Sequence, residues 1–270
     1  MKKNASFKRY FSVVIVILCA CLFCRFAYGE CTKKVFYAAW EEWAPYQFKT
    51  GNSLGGLDIE LLRTAVETAG FKIDFKEMPW KTSLKKIESG TIDIVAGASK
   101  TPEREIFGHF SDSYRTEIMR LFVRKGLKER FAFTSVSDLV KSILEKKFRL
   151  GYIRGYYYGD EFEKAQKNNK DFDKKVIIAT AEDSNFVNLK KERIDGLVTD
   201  HYVALDMIKK DRAKKLEEFM EPHSLILNED PIYFLISKKS VDIECVKKIN
   251  GVLKSMEENG TRKKIIDKYM

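Results

Sequence analysis

The residues best placed for chemistry follow a buried strand in the segment 92–104. The apolar run from Ile92 to Ala96 ends in small residues and leads into a helix, with Thr101 as N-cap and Pro102 at the first helical position. Free backbone N–H groups at a helix start bind anions, and Arg104 on the first turn adds a two-pronged donor suited to a carboxylate. The segment therefore predicts a carboxylate site, with a capped helix that carries a surface arginine as the alternative.

Two further strand ends carry polar residues. The segment 150–160 contains a strand, a glycine-bearing turn and a helix start, but it lacks GxGxxG and GxxxxGK[ST], so nucleotide binding is not supported. The buried strand 194–198 delivers Asp200 to its carboxyl end. In open α/β sheets ligands bind at such ends, which makes Asp200 a second candidate site residue.

Aromatic residues cluster near the first strand. Trp40, Trp43, Tyr46 and Phe48 surround a polar turn, and Trp80 opens a later helix. These aromatic side chains can either pack in the core or face a ligand, and the sequence leaves both interpretations open.

Strands and helices alternate along the chain and position these residues. In the first half, periodicity and glycine stops predict strands over 33–39, 71–75 and 92–96, separated by helices over 61–69 and 80–90. The pattern restarts with helices over 137–145, 159–167, 185–191 and 201–209 and strands over 149–153, 175–179 and 194–198. The chain closes with a strand over 232–237 and helices over 241–256 and 261–269. Two such units without a Pro/Gly linker indicate an α/β protein of two lobes joined by strands.

Composition excludes several classes of protein. The 270 residues include 33 % charged, 44 % hydrophobic and only 5 Pro, which is not the composition of a disordered or collagen-like chain. The net charge is +10, from 49 basic and 39 acidic residues. No compact basic stripe with interleaved aromatics is present, so no nucleic-acid partner is expected.

The N-terminus has the pattern of an export signal. Basic residues precede an apolar run from Phe11 to Cys24, and small residues follow up to Gly29. We expect a signal peptide over 1–29, cleaved after Gly29, and a periplasmic mature protein that begins at Glu30. An uncleaved anchor and a lipoprotein lipidated on Cys21 are the alternatives.

Cleavage would leave two of the five cysteines, Cys31 and Cys245, which in an exported protein can pair. No metal is expected, because no ligand spacing links the histidines at His109, His201 and His223.

Five segments, in order and in register, resemble one family. They are 43–46 (WAPY), 56–61 (GLDIEL), 87–93 (IESGTID), 101–104 with 110–114 (TPER and FSDSY), and 193–196 (RIDG) with Asp200. The chain from about Lys33 onward is similar to the extracellular solute-binding proteins of family 3, the periplasmic polar amino-acid binders of ABC importers. The resemblance implies the two-lobed periplasmic-binding-protein fold of type II, in which two open sheets flanked by helices are joined by two hinge strands.

The resemblance also implies domain boundaries. Lobe 1 is expected to comprise 30–116 and 234–270, and lobe 2 to comprise 117–233. Because Cys31 then precedes the first strand of lobe 1 and Cys245 lies in a helix after the return to it, we predict a disulfide between them.

Family members hold the ligand α-carboxylate with the arginine that corresponds to Arg104, assisted by the Ser99 hydroxyl. The residue matching Asp200 takes the α-ammonium, and those matching Trp43 and Trp80 flank the side chain. Gly97, Thr101 and Tyr156 complete the expected ligand-binding set.

The chain departs from the family at two positions. Tyr156 and Tyr157 follow Gly155, where the family often has Ser or Thr. Trp40 stands where family members that bind Lys and Arg carry an acid, which argues against a preference for those two ligands. Three tryptophans around the pocket would favour a flat ligand, or a cation held by ring faces.

The resemblance therefore predicts a monomeric, non-catalytic protein without cofactor that delivers a small zwitterion to an ABC permease. A sensing protein with a membrane partner is one alternative. The other is an enzyme similar to cyclohexadienyl or arogenate dehydratases, which would need a cleft acid to protonate a leaving hydroxyl. Glu41, Glu42 and His201 are the titratable candidates for that role.

Overall fold

The structure, a computed structural model, describes residues 31–210 and 216–270. The expected signal peptide over 1–29 and its cleavage after Gly29 lie outside the described residues. Within the described part of the chain, no helix is both long and apolar enough to cross a membrane. The chain is a mixed α/β protein of two lobes, which confirms the expected fold.

The first lobe is built mainly from the N-terminal elements. In chain order these are β1 (Val35–Trp40), β2 (Phe48–Thr50), β3 (Ser53–Gly55), α1 (Leu57–Thr68), β4 (Lys72–Glu77), α2 (Trp80–Ser89), β5 (Ile94–Ser99), α3 (Pro102–Phe107) and β6 (Gly108–Phe110). Leu57, Leu61 and Leu62 of α1 face the core and are fully buried. That helical spacing of apolar residues holds α1 against the sheet.

The second lobe follows. Its elements are β7 (Arg115–Arg124), α4 (Val136–Leu144), β8 (Leu150–Ile153), α5 (Asp160–Asn168), a 3₁₀ turn (Phe172–Lys174), β9 (Ile177–Ala179), α6 (Glu182–Lys190), β10 (Gly196–Asp200), α7 (His201–Lys210), α8 (Leu216–Phe219) and β11 (Met220–Ser237). The chain then returns to the first lobe with α9 (Ile243–Glu258) and α10 (Thr261–Tyr269).

Two long strands, β7 and β11, connect the lobes. In the described residues the large sheet has the order β4-β1-β5-β11-β7-β10-β8-β9, with β6 also paired to β11. The end of β11 pairs antiparallel with β5 of the first lobe, and its earlier part pairs with β7. On its other edge β7 pairs with β10 of the second lobe. The predicted boundaries at 116/117 and 233/234 fall inside these strands and stay a prediction.

The long strands are also where sequence and structure differ most. The sequence predicts a strand only over 232–237, whereas β11 begins at Met220. Pro222 and Pro231 lie in the part that was not predicted. Proline has no N–H to donate to a neighbouring strand, so it is usually absent from the interior of a sheet. The strand accommodates Pro222 beside a shift in its register with β7.

Cys31 and Cys245 are joined in a disulfide, as predicted. Both are buried in the first core, where Cys245 lies on α9. The bond closes a loop of sequence separation 214, so it fixes the start of the described chain to its C-terminal helices.

Candidate functional site

A small cavity lies between the lobes. Its volume is about 30 Å³, which is room for about two water molecules. Residues from both lobes and from the connecting strand β7 line it: Glu41, Trp43, Gln47, Trp80, Ala96, Gly97, Ser99, Arg104, Glu117, Met119, Tyr156 and Tyr157. Six of the eight residues expected to bind ligand are in this lining.

Arg104 projects from the first turn of α3 into this cavity. As expected, Thr101 caps the helix, because its hydroxyl accepts the Arg104 N–H at 3.3 Å. The guanidinium donates from Nη1 to the Ser99 carbonyl at 2.8 Å and from Nη2 to the Gly155 carbonyl at 3.4 Å. Both acceptors are neutral, and no carboxylate among the described residues forms an ion pair with Arg104. Burial lowers the Arg104 pKa from its ordinary value, although nearby carboxylates oppose the shift. The side chain therefore presents a buried cation to the cavity.

Gly97 brings the backbone close to the cavity wall. Its φ of 81° is a left-handed value, and a Cβ there would lie 3.2 Å from the Trp43 ring and 3.3 Å from an Asp58 oxygen. The Gly97 N–H donates to the Tyr114 hydroxyl at 2.8 Å. A side chain at position 97 would therefore strain the backbone and narrow the cavity.

Asp200 and Thr101 are the two expected residues that do not line the cavity. Asp200 is fully buried, and its carboxylate accepts hydrogen bonds from the Tyr46 hydroxyl at 2.9 Å and from the backbone N–H groups of Ile118, Tyr202 and Val203. Thr101 faces an outer groove of about 600 Å³ between the lobes. The role of Asp200 toward an ammonium group stays a prediction.

Glu117 is a cavity acid that the sequence did not identify. It lies on β7, it is 2 % exposed, and no described residue donates a hydrogen bond to its carboxylate. Burial raises its pKa to about 8; Asp200 and Asp58 add to the increase, while Arg115 and Arg104 oppose it.

Arg115, two residues before Glu117, forms a buried ion pair with Asp58. Its Nε and Nη2 donate to the two carboxylate oxygens at 2.8 and 3.0 Å. The guanidinium carbon lies 3.8 Å from the Tyr46 ring centroid and 5.4 Å from that of Trp43. This pair supports the wall of the cavity from behind Trp43.

Contacts across the cleft converge on the turn at Gly155 and Tyr156. The Tyr156 hydroxyl donates to Glu41 Oε1 at 2.8 Å, and the Trp80 N–H donates to Glu41 Oε2 at 2.8 Å. The Trp80 indole N–H donates to the Gly155 carbonyl at 3.2 Å. Tyr156 thus reaches across to the first lobe, where its hydroxyl bonds to Glu41.

The structure corrects the expectation of three tryptophans around the pocket. Trp43 and Trp80 line it, whereas Trp40 is buried outside the lining, with Lys49 Nζ 4.9 Å from its ring centroid. Trp40 is the last residue of β1, so its side chain packs with the sheet.

Of the three candidates for a cleft acid, only Glu41 lines the cavity. Burial raises the pKa of the Glu41 carboxyl, although hydrogen bonds from Trp80 and Tyr156 oppose the shift. Glu42 is exposed, and His201 begins α7 outside the lining.

The sequence pattern of the bacterial extracellular solute-binding proteins, family 3, matches residues 37–270. The chain belongs to this family. Among curated proteins it is 26 % identical to the arginine-binding extracellular protein ArtP of Bacillus subtilis, over 88 % of this chain and 86 % of ArtP.

Two solved structures extend the comparison for this family 3 protein. One, described as an ancestral arginine-binding protein bound to arginine, is 28 % identical with a TM-score of 0.72, covering 88 % of this chain and 99 % of that one. The other, described as the ancestral amino acid-binding protein AncCDT-1, a precursor of cyclohexadienyl dehydratase, is 26 % identical with a TM-score of 0.68. The alignment covers 87 % of this chain and 95 % of AncCDT-1.

Two buried carboxyls of this solute-binding protein should destabilise it at alkaline pH. Burial raises the pKa of Glu117 and of Glu182 to about 8. Because the folded state then holds protons that the unfolded state releases, the free energy of unfolding should fall as pH rises from about 4.5 through 8. Glu117→Gln and Glu182→Gln should each raise the free energy of unfolding by roughly 1 to 3 kcal/mol at pH 8.5 and leave that free energy unchanged at pH 4.

Denaturant unfolding at the two pH values measures this effect. A stability gain that is equal at pH 4 and pH 8.5 would contradict the assignment, because carboxyl ionisation would then not be its source. Glu182 lies outside the cavity lining, so Glu182→Gln should leave ligand binding unchanged.

Proposed function

We propose that this family 3 protein captures a free amino acid between its lobes and delivers it to an ABC importer after export. The observation that carries the proposal is Arg104, a buried guanidinium without a carboxylate partner in the described residues, facing a cavity walled by both lobes. A ligand carboxylate would supply the missing anion through charge-assisted hydrogen bonds. The relatives compared above are named as proteins that bind arginine or amino acids, which supports the same ligand class.

Ligand uptake requires the lobes to separate. A cavity of about 30 Å³ is smaller than an amino acid, so the hydrogen bonds that Trp80 and Tyr156 make across the cleft must break first. Ligand contacts from both lobes would then favour closure about the two connecting strands. In this proposal Arg104 holds the α-carboxylate, and Asp200 stays the predicted partner of the α-ammonium.

A thermal-shift screen of the mature protein against the twenty amino acids and small carboxylates tests the ligand class. Ligand at 100 times its dissociation constant adds about 2.7 kcal/mol of stability, which is a readily measured shift. We expect at least one amino acid to raise the melting temperature, and a clearly smaller shift with the same concentration of the matching amine that lacks a carboxylate. Stabilisation by none of the amino acids at millimolar concentration would contradict the proposal.

A dehydratase-like activity is the second candidate, and Glu117 is the observation that favours it. A cavity acid whose pKa is raised to about 8 holds its proton at neutral pH, as a general acid must. We place binding without chemical change first, because the relatives compared above are named as binding proteins. Loss of prephenate or arogenate during incubation with the protein, abolished by Glu117→Gln, would reverse that order.

A further inference from the structure

The cavity lining holds more acids than a simple zwitterion can pair with. Two acids, Glu41 and Glu117, and one cation, Arg104, line it, and the other described lining residues are uncharged. If a ligand carboxylate binds Arg104 and the α-ammonium binds Asp200, as proposed above, the ligand supplies no charged partner to Glu41 or Glu117. Burial raises the pKa of both acids, and a second positive group on the ligand would oppose that shift by pairing with their ionised forms, so the lining is complementary to such a ligand.

Both acids retain the capacity to bind such a group. No described residue donates a hydrogen bond to the Glu117 carboxylate. Glu41 accepts one hydrogen bond on each oxygen, both from neutral donors, the Tyr156 hydroxyl and the Trp80 N–H. An ionised carboxylate has about four acceptor positions, so Glu41 can accept further bonds from a ligand cation.

The aromatic walls are compatible with the same charge. The Arg104 guanidinium carbon lies 5.5 Å from the Trp80 ring centroid, and that of Arg115 lies 5.4 Å from the Trp43 ring centroid. Ring faces attract cations, so neither tryptophan opposes a cationic ligand group nearby.

We propose that Glu41 and Glu117 make the cavity selective for an amino acid whose side chain carries a positive charge. The inference rests on the proposed function, because it assumes that Arg104 holds the carboxylate. It also replaces the expectation from Trp40. The acid that Lys and Arg binders of the family carry at that position is absent, but Glu41 stands at the next residue and Glu117 lies on β7.

Calorimetry with paired ligands tests the selectivity. L-arginine should bind at least tenfold more tightly than L-citrulline, its uncharged analogue, and L-lysine should bind at least tenfold more tightly than L-norleucine. Equal affinity within both pairs would overturn the inference. If L-citrulline and L-norleucine bind the wild type and lose that binding in Arg104→Ala, the inference would fail but the proposed function would still stand.

Charge-neutral variants locate the selectivity. Glu41→Gln and Glu117→Gln should each reduce the ratio of the L-citrulline to the L-arginine dissociation constant by at least fivefold. Glu42→Gln is the matched control, because Glu42 is exposed and adjacent to Glu41, and it should retain the full ratio. An unchanged ratio in both cavity variants, with native circular dichroism, would overturn the inference.

The pH dependence gives an independent readout. Glu117 has a pKa raised to about 8 by burial and is influenced by Asp58, Arg104, Arg115 and Asp200. A bound cation favours its ionised form, so binding should release a proton. Affinity for L-arginine should then rise between about pH 6 and pH 8, by up to tenfold per pH unit, and level off above pH 8. Glu117→Gln should reduce this slope, and an identical slope in that variant would contradict the role of Glu117.

Agmatine, which keeps the guanidinium of arginine but lacks its carboxylate, separates the two proposals. We expect it to bind at least thirtyfold more weakly than L-arginine. Agmatine binding as tight as that of L-arginine would overturn the amino-acid assignment itself, whatever the behaviour of the neutral analogues.

Discussion

Arg104→Ala is expected to reduce amino-acid affinity by thirtyfold or more. The guanidinium is the cation on the cavity lining, and its hydrogen bonds go to the neutral carbonyls of Ser99 and Gly155. Without it, the ligand carboxylate would be desolvated and unpaired, which costs roughly 2 to 5 kcal/mol. Isothermal titration calorimetry on the mature protein measures the loss.

Arg154→Ala is the control for this variant. Arg154 lies across the cleft and faces the outer groove, where it pairs with Asp173 at 2.9 Å in an exposed ion pair. Exposed pairs of this kind contribute about 0 to 1 kcal/mol, so its removal should leave affinity nearly unchanged.

Asp200→Asn is the companion test on the ammonium side, with a predicted cost of similar size. Because Asp200 also accepts hydrogen bonds from Tyr46 and three backbone N–H groups, circular dichroism must show a native fold in this variant. Wild-type affinity in folded Arg104→Ala and Asp200→Asn would mean that the site lies elsewhere or that the ligand is not an amino acid.

Removing the disulfide is expected to cost about 5 kcal/mol of unfolding free energy. Cys31 and Cys245 close a loop of sequence separation 214, and in the chain-entropy model a loop of that length restricts the unfolded chain by about this amount. For a domain of this size the melting temperature should fall by roughly 10 to 20 °C. Cys31→Ala/Cys245→Ala, compared by calorimetric scan with the oxidised wild type, measures the difference.

Reduction of the wild type with dithiothreitol should reproduce the loss and should leave the double variant unchanged. If both thiols of the oxidised protein react with a maleimide under denaturing, non-reducing conditions, the bond does not form. Equal melting temperatures for variant and wild type would contradict the expected stabilisation.

Local signals predicted the regular elements well. Helix α10 spans Thr261–Tyr269 as predicted, and the cap and proline at 101–102 fix the start of α3. These elements depend on apolar spacing and on capping chemistry within a few residues, which the sequence states directly.

The connecting strands and their acid could not be predicted in the same way. In β7, Arg115, Glu117 and Met119 alternate with Thr116 and Ile118, a pattern that resembles a half-exposed strand. Their burial comes from β10 and β11 on both edges of β7 and from the lobes packed around it. Only the assembled tertiary structure brings Glu117 to the cavity.

The resemblance identified Arg104 correctly as a residue of the cavity, but it could not give the hydrogen-bond partners of Asp200. Its carboxylate accepts hydrogen bonds from both lobes and from β7, three on Oδ1 and one on Oδ2. The bonds from Tyr202 and Val203 are local and cap the start of α7, whereas Tyr46 and Ile118 are distant in sequence, and no local motif encodes those two.

Glu117 lies on β7, so one acid of the cavity belongs to a strand that connects the lobes. When two bodies rotate about a pair of strands, each atom moves in proportion to its lever arm from that axis. If the lobes close by rotation about β7 and β11, as proposed above, Glu117 on β7 would move little, whereas Tyr156 and Arg104, on elements of opposite lobes, would travel further. Under the proposed selectivity, the positive side chain of the ligand would therefore meet Glu117 before closure, and the approaching lobes would then complete the remaining contacts around it.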